Sequence, residues 1–203
     1  MPDLLAGVTG ERMELDVYYA DFEKNFWAIT EPGFWKLERQ QFFQEPGYDS
    51  WEAFMRGDWD ESLRILEAGR QDMLDYHRRI QEHRFVARRV RIVEAPIIPY
   101  LQWELHALRI RDQSGGAVRI VGPDVVTEFE SSAPLPEIYT LGPSVMYQAL
   151  YDADGVLESA LRFDDRDLVL RCQQLIQALY QQGQPLESYF ETHVAPLPPP
   201  QPT

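Results

Sequence analysis

The chain of 203 residues has one cysteine, Cys172, and two lysines, Lys24 and Lys36. A single cysteine excludes an intramolecular disulfide and leaves too few thiolates for a cysteine-based zinc site. Cys172 falls on the apolar side of a helical pattern, where an inert buried thiol is the default. A reducing cytoplasm is the simplest compartment for such a chain. Long hydrophobic runs are missing too, and no stretch approaches the length of a membrane span. The first residues, MPDLLAGVTGERMELD, show no basic region followed by an apolar run, so no signal peptide is expected. Positive charge is scarce: 19 Lys and Arg stand against 33 Asp and Glu, for a net charge of -14. That balance argues against general nucleic-acid binding and against an anionic membrane surface.

Signatures of catalysis are also absent. There is no GxSxG, no Walker-type loop and no GxGxxG. His77, His83, His106 and His193 lack HExxH spacing, and Asp152 and Asp154 before Gly155 lack the other ligands of a calcium loop. The expectation is therefore no metal and no cofactor, with binding favoured over catalysis.

What is present suits a globular core: 44% hydrophobic residues and 12% aromatics. Tyr18, Phe22, Phe26 and Ile29 recur at helical spacing within 15–29, and Phe34, Leu37 and Phe42 suggest a second helix over 34–44. Ser50 is placed to cap a helix over 51–56, and Asp58 or Asp60 a longer one to about Glu82. The period then changes. Val86, Val90 and Ile92 alternate with Arg89 and Arg91 in a strand over 85–93. Pro99 opens a helix over 100–111 with Leu101, Leu105 and Leu108 on one side. Strands follow over 117–121, 137–141, 145–151 and 156–163, the last two joined by a tight turn at Asp152–Gly155. Residues 125–129 suit either a strand or a helical turn. A helix over 167–181 and a short one from Pro185 through Phe190 complete the pattern.

The fold class expected is α+β: a single, largely antiparallel sheet of four to five strands with helices packed on it, preceded by an N-terminal helical segment. Residues 1–12 read as a loose lead-in. Residues 13–192 read as one domain, with a helical part over 13–82 and a sheet part over 83–192. The proline-rich 193–203 reads as a disordered tail.

The segment from Phe85 to Arg111 concentrates positive charge. Arg78, Arg79, Arg84, Arg88, Arg89 and Arg91 suggest an anion-binding face, against the default that they pair with acidic neighbours. Strand alternation places Arg88 with Val90, as the arginine to be buried, and leaves Arg89 and Arg91 outward. Glu104, in an otherwise apolar helix after Tyr100 and Trp103, is the partner expected for Arg88. The candidate ligand-binding residues are thus Arg88, Arg89, Arg91, Tyr100, Trp103 and Glu104. Glu104 would be an acid or base if desolvation raised its pKa, and otherwise a structural partner.

The segments DFEKNFWAI, FWKLERQQFFQEPGYDSWEAFMRGDWDESLRILE, RRVRIVEAPIIPYLQWELHALRIRD and LYDADGVLESALRFDD resemble a bacterial, mainly actinobacterial family of unknown function, from about Asp21 to Glu191. Its members are often encoded beside helix-turn-helix regulators, which implies a regulatory or partner-binding role. Three functions follow as expectations. The first is a cytoplasmic binding or regulatory protein with a protein partner or an anionic small molecule. The second is an enzyme on a phosphorylated or nucleotide-like substrate with Glu104 as acid/base. The third is a structural homodimer joined at a sheet edge.

Overall fold

The computed structural model describes residues 4–130 and 133–201. Its first element is a strand, β1 (Glu11–Glu14), which begins inside the stretch expected as a lead-in; residues 1–3 lie outside the described residues. Helix α1 (Leu15–Phe26) follows as predicted. Phe22 sits between Tyr18 and Phe26 along one side of it, with ring centroids 5.9 and 5.4 Å apart.

Residues 34–44 do not form a helix. They open with strand β2 (Phe34–Glu38), in which Trp35 and Leu37 pack under one side of the sheet while Phe34, Lys36 and Glu38 face the other. Phe34, Leu37 and Phe42 imitate a helical period only because Leu37 belongs to one face and Phe34 to the other. Helices α2 (Asp49–Met55), α3 (Trp59–Ala68) and α4 (Arg70–Glu82) come next. Asp58 caps α3 as expected, accepting the Glu61 N–H at 3.2 Å. Ser50 is not a cap. It lies inside α2, fully buried, with its hydroxyl 2.9 Å from that of Ser62. The single long helix expected to Glu82 divides at Gly69.

The remaining elements largely follow the sequence pattern. They are β3 (Ala87–Ile92), α5 (Pro99–Gln113), β4 (Ala117–Val121), the single turn α6 (Pro123–Val126), β5 (Ile138–Leu141), β6 (Val145–Tyr151), β7 (Leu157–Phe163), α7 (Arg166–Gln182), β8 (Gln184–Pro185) and α8 (Leu186–His193). The β6–β7 turn uses Gly155 at φ 84°, while Asp152 Oδ1 accepts the N–H groups of Asp154 and Val156. The tail expected to be free starts by packing. Val194 is buried in the cluster that holds Phe190, and the Pro198 carbonyl accepts from Gln102 Nε2 at 2.9 Å. Pro202 and Thr203 lie outside the described residues.

The sheet has eight strands in the order β1-β7-β6-β5-β2-β3-β4-β8. It is mixed, which corrects the expected four to five largely antiparallel strands. β2, β3 and β4 run parallel, and the other pairings are antiparallel. A parallel pair needs a long crossover. Helices α2 to α4 supply one between β2 and β3, and α5 supplies the next. The three additional strands are silent in the sequence for physical reasons. β2 is buried on both faces and reads as mixed polarity, whereas β1 and β8 are too short to show a period. Both edges are meagre: β1 has four residues and β8 two, one of them Pro185.

One face of the sheet is covered by α7, whose Leu168, Cys172, Ile176 and Leu179 meet Leu37, Val90, Ile92 and Met146. The other face has two separate covers. α5, backed by α2, α3 and α8, lies toward β3 and β4; α1 lies toward β6 and β7. Between them the sheet stays open as a cleft. The assignment of β2 is testable by urea denaturation. Leu37 has no exposure, so Leu37→Ala should cost about 2–5 kcal/mol, whereas Phe42→Ala, 36% exposed, should cost under about 1.5 kcal/mol. Equal costs would contradict this packing.

Candidate functional site

The cleft floor follows from strand register. Lys36 lies beside Arg89 and Glu38 beside Arg91, and on the other flank Lys36 lies beside Tyr139 and Tyr139 beside Tyr147. β6 carries the same face onward through Ala149 to Tyr151. Glu38 accepts from Lys36 Nζ at 2.6 Å and from Arg89 Nη1 at 2.7 Å. Burial pushes its carboxyl up, but Arg89, Lys36 and Arg91 together outweigh burial and hold it well below the usual carboxylate range.

Arg91 is wholly buried. Its Nε donates to Glu104 Oε2 at 2.7 Å, and its Nη1 donates to the carbonyls of Gln40 at 2.7 Å and Ile92 at 3.2 Å. Burial alone would weaken the charge; Glu104 and Glu38 overcome it and keep Arg91 firmly protonated.

Helix α5 forms the roof on this side. Tyr100, Glu104, Leu108 and Arg111 recur at spacings of four, four and three, so one helical stripe looks into the cleft. Arg111 is the exception in the charge pattern. No carboxylate lies within 4.0 Å of it among the described residues, and its neighbour is the Tyr76 ring, 5.9 Å from the guanidinium carbon. Burial, reinforced by Arg89, pulls its pKa down to about 10. Behind it His77 is buried with neither ring nitrogen hydrogen-bonded among the described residues, and burial followed by Arg111 and Arg89 lowers its pKa to about 4. His77 therefore stays neutral and adds no charge.

Two cavities meet along this floor. The smaller, about 230 Å³, is walled by Tyr18, Phe22, Phe34, Tyr76 and Tyr139 over Ala87 and Ala149. The larger, about 730 Å³, is lined by Glu38, Glu45, Tyr48, Tyr100 and Glu104. Lys36, Arg89, Arg111, Tyr151 and Leu157 border both.

The residues singled out in the sequence are only partly brought together. Arg89, Tyr100, Trp103 and Glu104 line the larger cavity. The pairing expected between Arg88 and Glu104 is corrected: Glu104 pairs with Arg91, and Arg88 turns to the α7 face with its guanidinium 4.7 Å from the centre of the Trp35 ring. The reason is that both faces of β3 are covered. Val90 and Ile92 face α7, but α5 crosses the face of Arg89 and Arg91, so Arg91 is the arginine that needs a buried partner. Arg89 is likewise not outward; its side chain is 17% exposed and held by Glu38. Tyr100 donates to Glu45 Oε1 at 3.3 Å, and Trp103 gives its indole N–H to Ser50 Oγ at 3.0 Å. Elsewhere in the arginine cluster, Arg78 pairs with Asp75 and Arg79 stacks on Trp27.

Lys36, Glu38, Arg111, Tyr139 and Tyr151 were not picked out from sequence. Arg111 carried a usable signal, seven residues after Glu104 on the same helix side. Lys36 and Glu38 carried one in their alternation with Trp35 and Leu37. The aromatic walls gave none, because they come from α1, β2, α4, β5 and β6.

Among the described residues no group of three or more His, Cys, Asp or Glu could hold a metal, and no helix is long and apolar enough to cross a membrane. One more titratable group stands apart from the cleft. Glu137 is buried, its Oε1 accepts the N–H groups of Arg39 at 2.8 Å and Gln40 at 2.6 Å, and its Oε2 has no partner among the described residues. Burial raises its pKa to about 7.

Two predictions follow from these buried groups. Glu104→Gln should destabilise the fold by about 3 kcal/mol in urea denaturation, because it strands the Arg91 charge, and the double change Arg91→Met with Glu104→Leu should recover most of that loss. A double variant as unstable as the single one would contradict the pairing. For Glu137 the folded pKa lies above the unfolded one, so its contribution is full below about pH 4.3 and is lost as pH rises through about 7. Glu137→Gln keeps a carbonyl acceptor for the two N–H groups. Relative to wild type it should gain on the order of 3 kcal/mol between pH 4 and pH 8, read from denaturation midpoints across that range. A pH-independent difference would rule this out.

A sequence comparison with curated proteins finds no match. The family model described as Domain of unknown function (DUF6879) matches residues 20–191, which include the whole cleft except the start of α1. The chain belongs to that family.

Proposed function

We propose that this protein binds a small organic anion in the cleft, with the anionic group against Arg111 and Arg89. The observation that carries this reading is Arg111, a half-buried guanidinium with no carboxylate within 4.0 Å among the described residues, next to a second arginine and open to two cavities. A cation withdrawn even partly from water is costly unless paired, and the other cleft cations are paired. A bound carboxylate or phosphate would supply the missing partner through bidentate hydrogen bonds. The larger cavity's 730 Å³ lies within the roughly 300–1,000 Å³ usual for ligand sites.

Such a protein would act as a sensor or carrier in the cytoplasm, and a protein partner would read the loaded cleft. Burial does raise the pKa of Glu104, against the opposing pull of Arg91, but catalysis by it has less support because its carboxylate serves Arg91.

Thermal denaturation with inorganic phosphate, at ionic strength matched with chloride, tests the reading. At about ten times its Kd, phosphate should stabilise wild type by about 1.4 kcal/mol, or roughly 3–6 °C. Arg111→Met should melt no lower than wild type without phosphate and show no phosphate shift. A variant that responds as wild type does would refute the site.

A further inference from the structure

We infer that the ligand is a planar aromatic ring bearing one oxyanion group, with the ring in the smaller cavity and the oxyanion at Arg111 and Arg89. This rests on the anion-binding reading above and deepens it. The smaller cavity exists because two floor positions of the sheet are alanine. Ala87 lies beside Phe34, and Ala149 lies on β6 between Tyr147 and Tyr151. Aromatic rings make up much of the wall around them, with Val118 and Leu157 beside the rings: Phe22 meets Tyr139 edge to face at 5.7 Å, and Phe34 lies 6.2 Å from Tyr139. A chamber with ring faces and ring edges on its walls favours an aromatic guest, which gains offset and edge contacts beyond its buried area. Four cations border the chamber among the described residues; Arg88 has its guanidinium on Trp35, while Lys36, Arg89 and Arg111 sit at the junction with the larger cavity. Lys36 and Arg89 are engaged by Glu38, so the free capacity is that of Arg111 with the outer N–H groups of Arg89.

The larger cavity limits the charge. Beyond the junction Glu38 and Glu104 are already matched by cations, and Glu45, with no cation within 4.0 Å among the described residues, repels a second or third anionic group. A ligand with a chain of phosphates is thereby disfavoured, and a single carboxylate or monophosphate is preferred. Two sources share this chemistry, an arylalkyl carboxylate and a nucleoside monophosphate.

Calorimetric titration of the full chain separates the outcomes. The probes are inorganic phosphate, adenosine, adenosine monophosphate, adenosine triphosphate and indole-3-acetate. At least one ring-bearing mono-oxyanion should bind at least about tenfold tighter than phosphate, and adenosine triphosphate about tenfold weaker than the monophosphate. Which of the two ring anions binds identifies the source. Adenosine, which lacks the charge, should bind no tighter than phosphate. Ala149→Leu fills the chamber and should lose about tenfold or more for the ring anion with phosphate affinity unchanged. Ala87→Leu makes the same test from β3 should the first variant fail to fold. If phosphate binds through Arg111 but no ring anion binds more tightly, or if chamber filling leaves ring-anion affinity intact, the inference is wrong and the anion site stands. If neither phosphate nor any ring anion depends on Arg111, both fall together.

Discussion

The buried guanidinium of Arg91 sets the terms for the rest of the molecule. An arginine with no exposure must find acceptors inside the protein, and those available to Arg91 come from three separate places. Glu104 reaches down from α5, the Gln40 carbonyl comes from the turn after β2, and the Ile92 carbonyl comes from its own strand. The pair therefore fixes the rotation of α5 about its axis as well as its distance from the sheet. Once Glu104 points at Arg91, helical geometry leaves no choice about Arg111, which must project over the sheet on the same side. A hydrophobic contact could hold α5 down; it would not dictate which face looks into the cleft.

Charge in the cleft is arranged as a ladder along two neighbouring strands. Lys36, Arg89 and Arg91 surround Glu38, and Glu104 balances the end of the row. Arg111 then stands as surplus positive charge in a protein whose overall charge is -14. Long-range attraction of an anion is opposed by that total, so the site cannot depend on steering from a distance. Its strength must come from short-range hydrogen bonds in a partly dewatered place, where each is worth more than at the surface.

Much of the fold was legible because its signals were local. The α7 stripe, the Asp58 cap, the Pro99 start and the Asp152–Gly155 turn each depend on residues a few positions apart. The sheet's size was not, because β1 and β8 are too short to carry a period and β2 is covered on both sides. The same limit governs the site. The arginines and Glu104 were visible as an oddity in one segment, but choosing between Arg88 and Arg91 required knowing that α5 and α7 cover opposite faces of β3. Both faces being covered, alternation alone could not say which arginine would be dry. Tyr18, Tyr76, Tyr139 and Ala149 stand on four elements, and no pattern within any one of them announces a shared chamber.

The meagre edges of the sheet have a consequence for how the molecule behaves in a crowd. Eight hydrogen-bonded strands would ordinarily offer two long rows of free backbone groups to any passing strand. Here one row ends at Pro185, which has no N–H to give. The other spans four residues, of which Glu11, Arg12 and Glu14 are charged. A wide mixed sheet rich in apolar strands is thus poorly suited to templated growth at both margins. The protein can hold an open cleft across its middle without also presenting a sticky border.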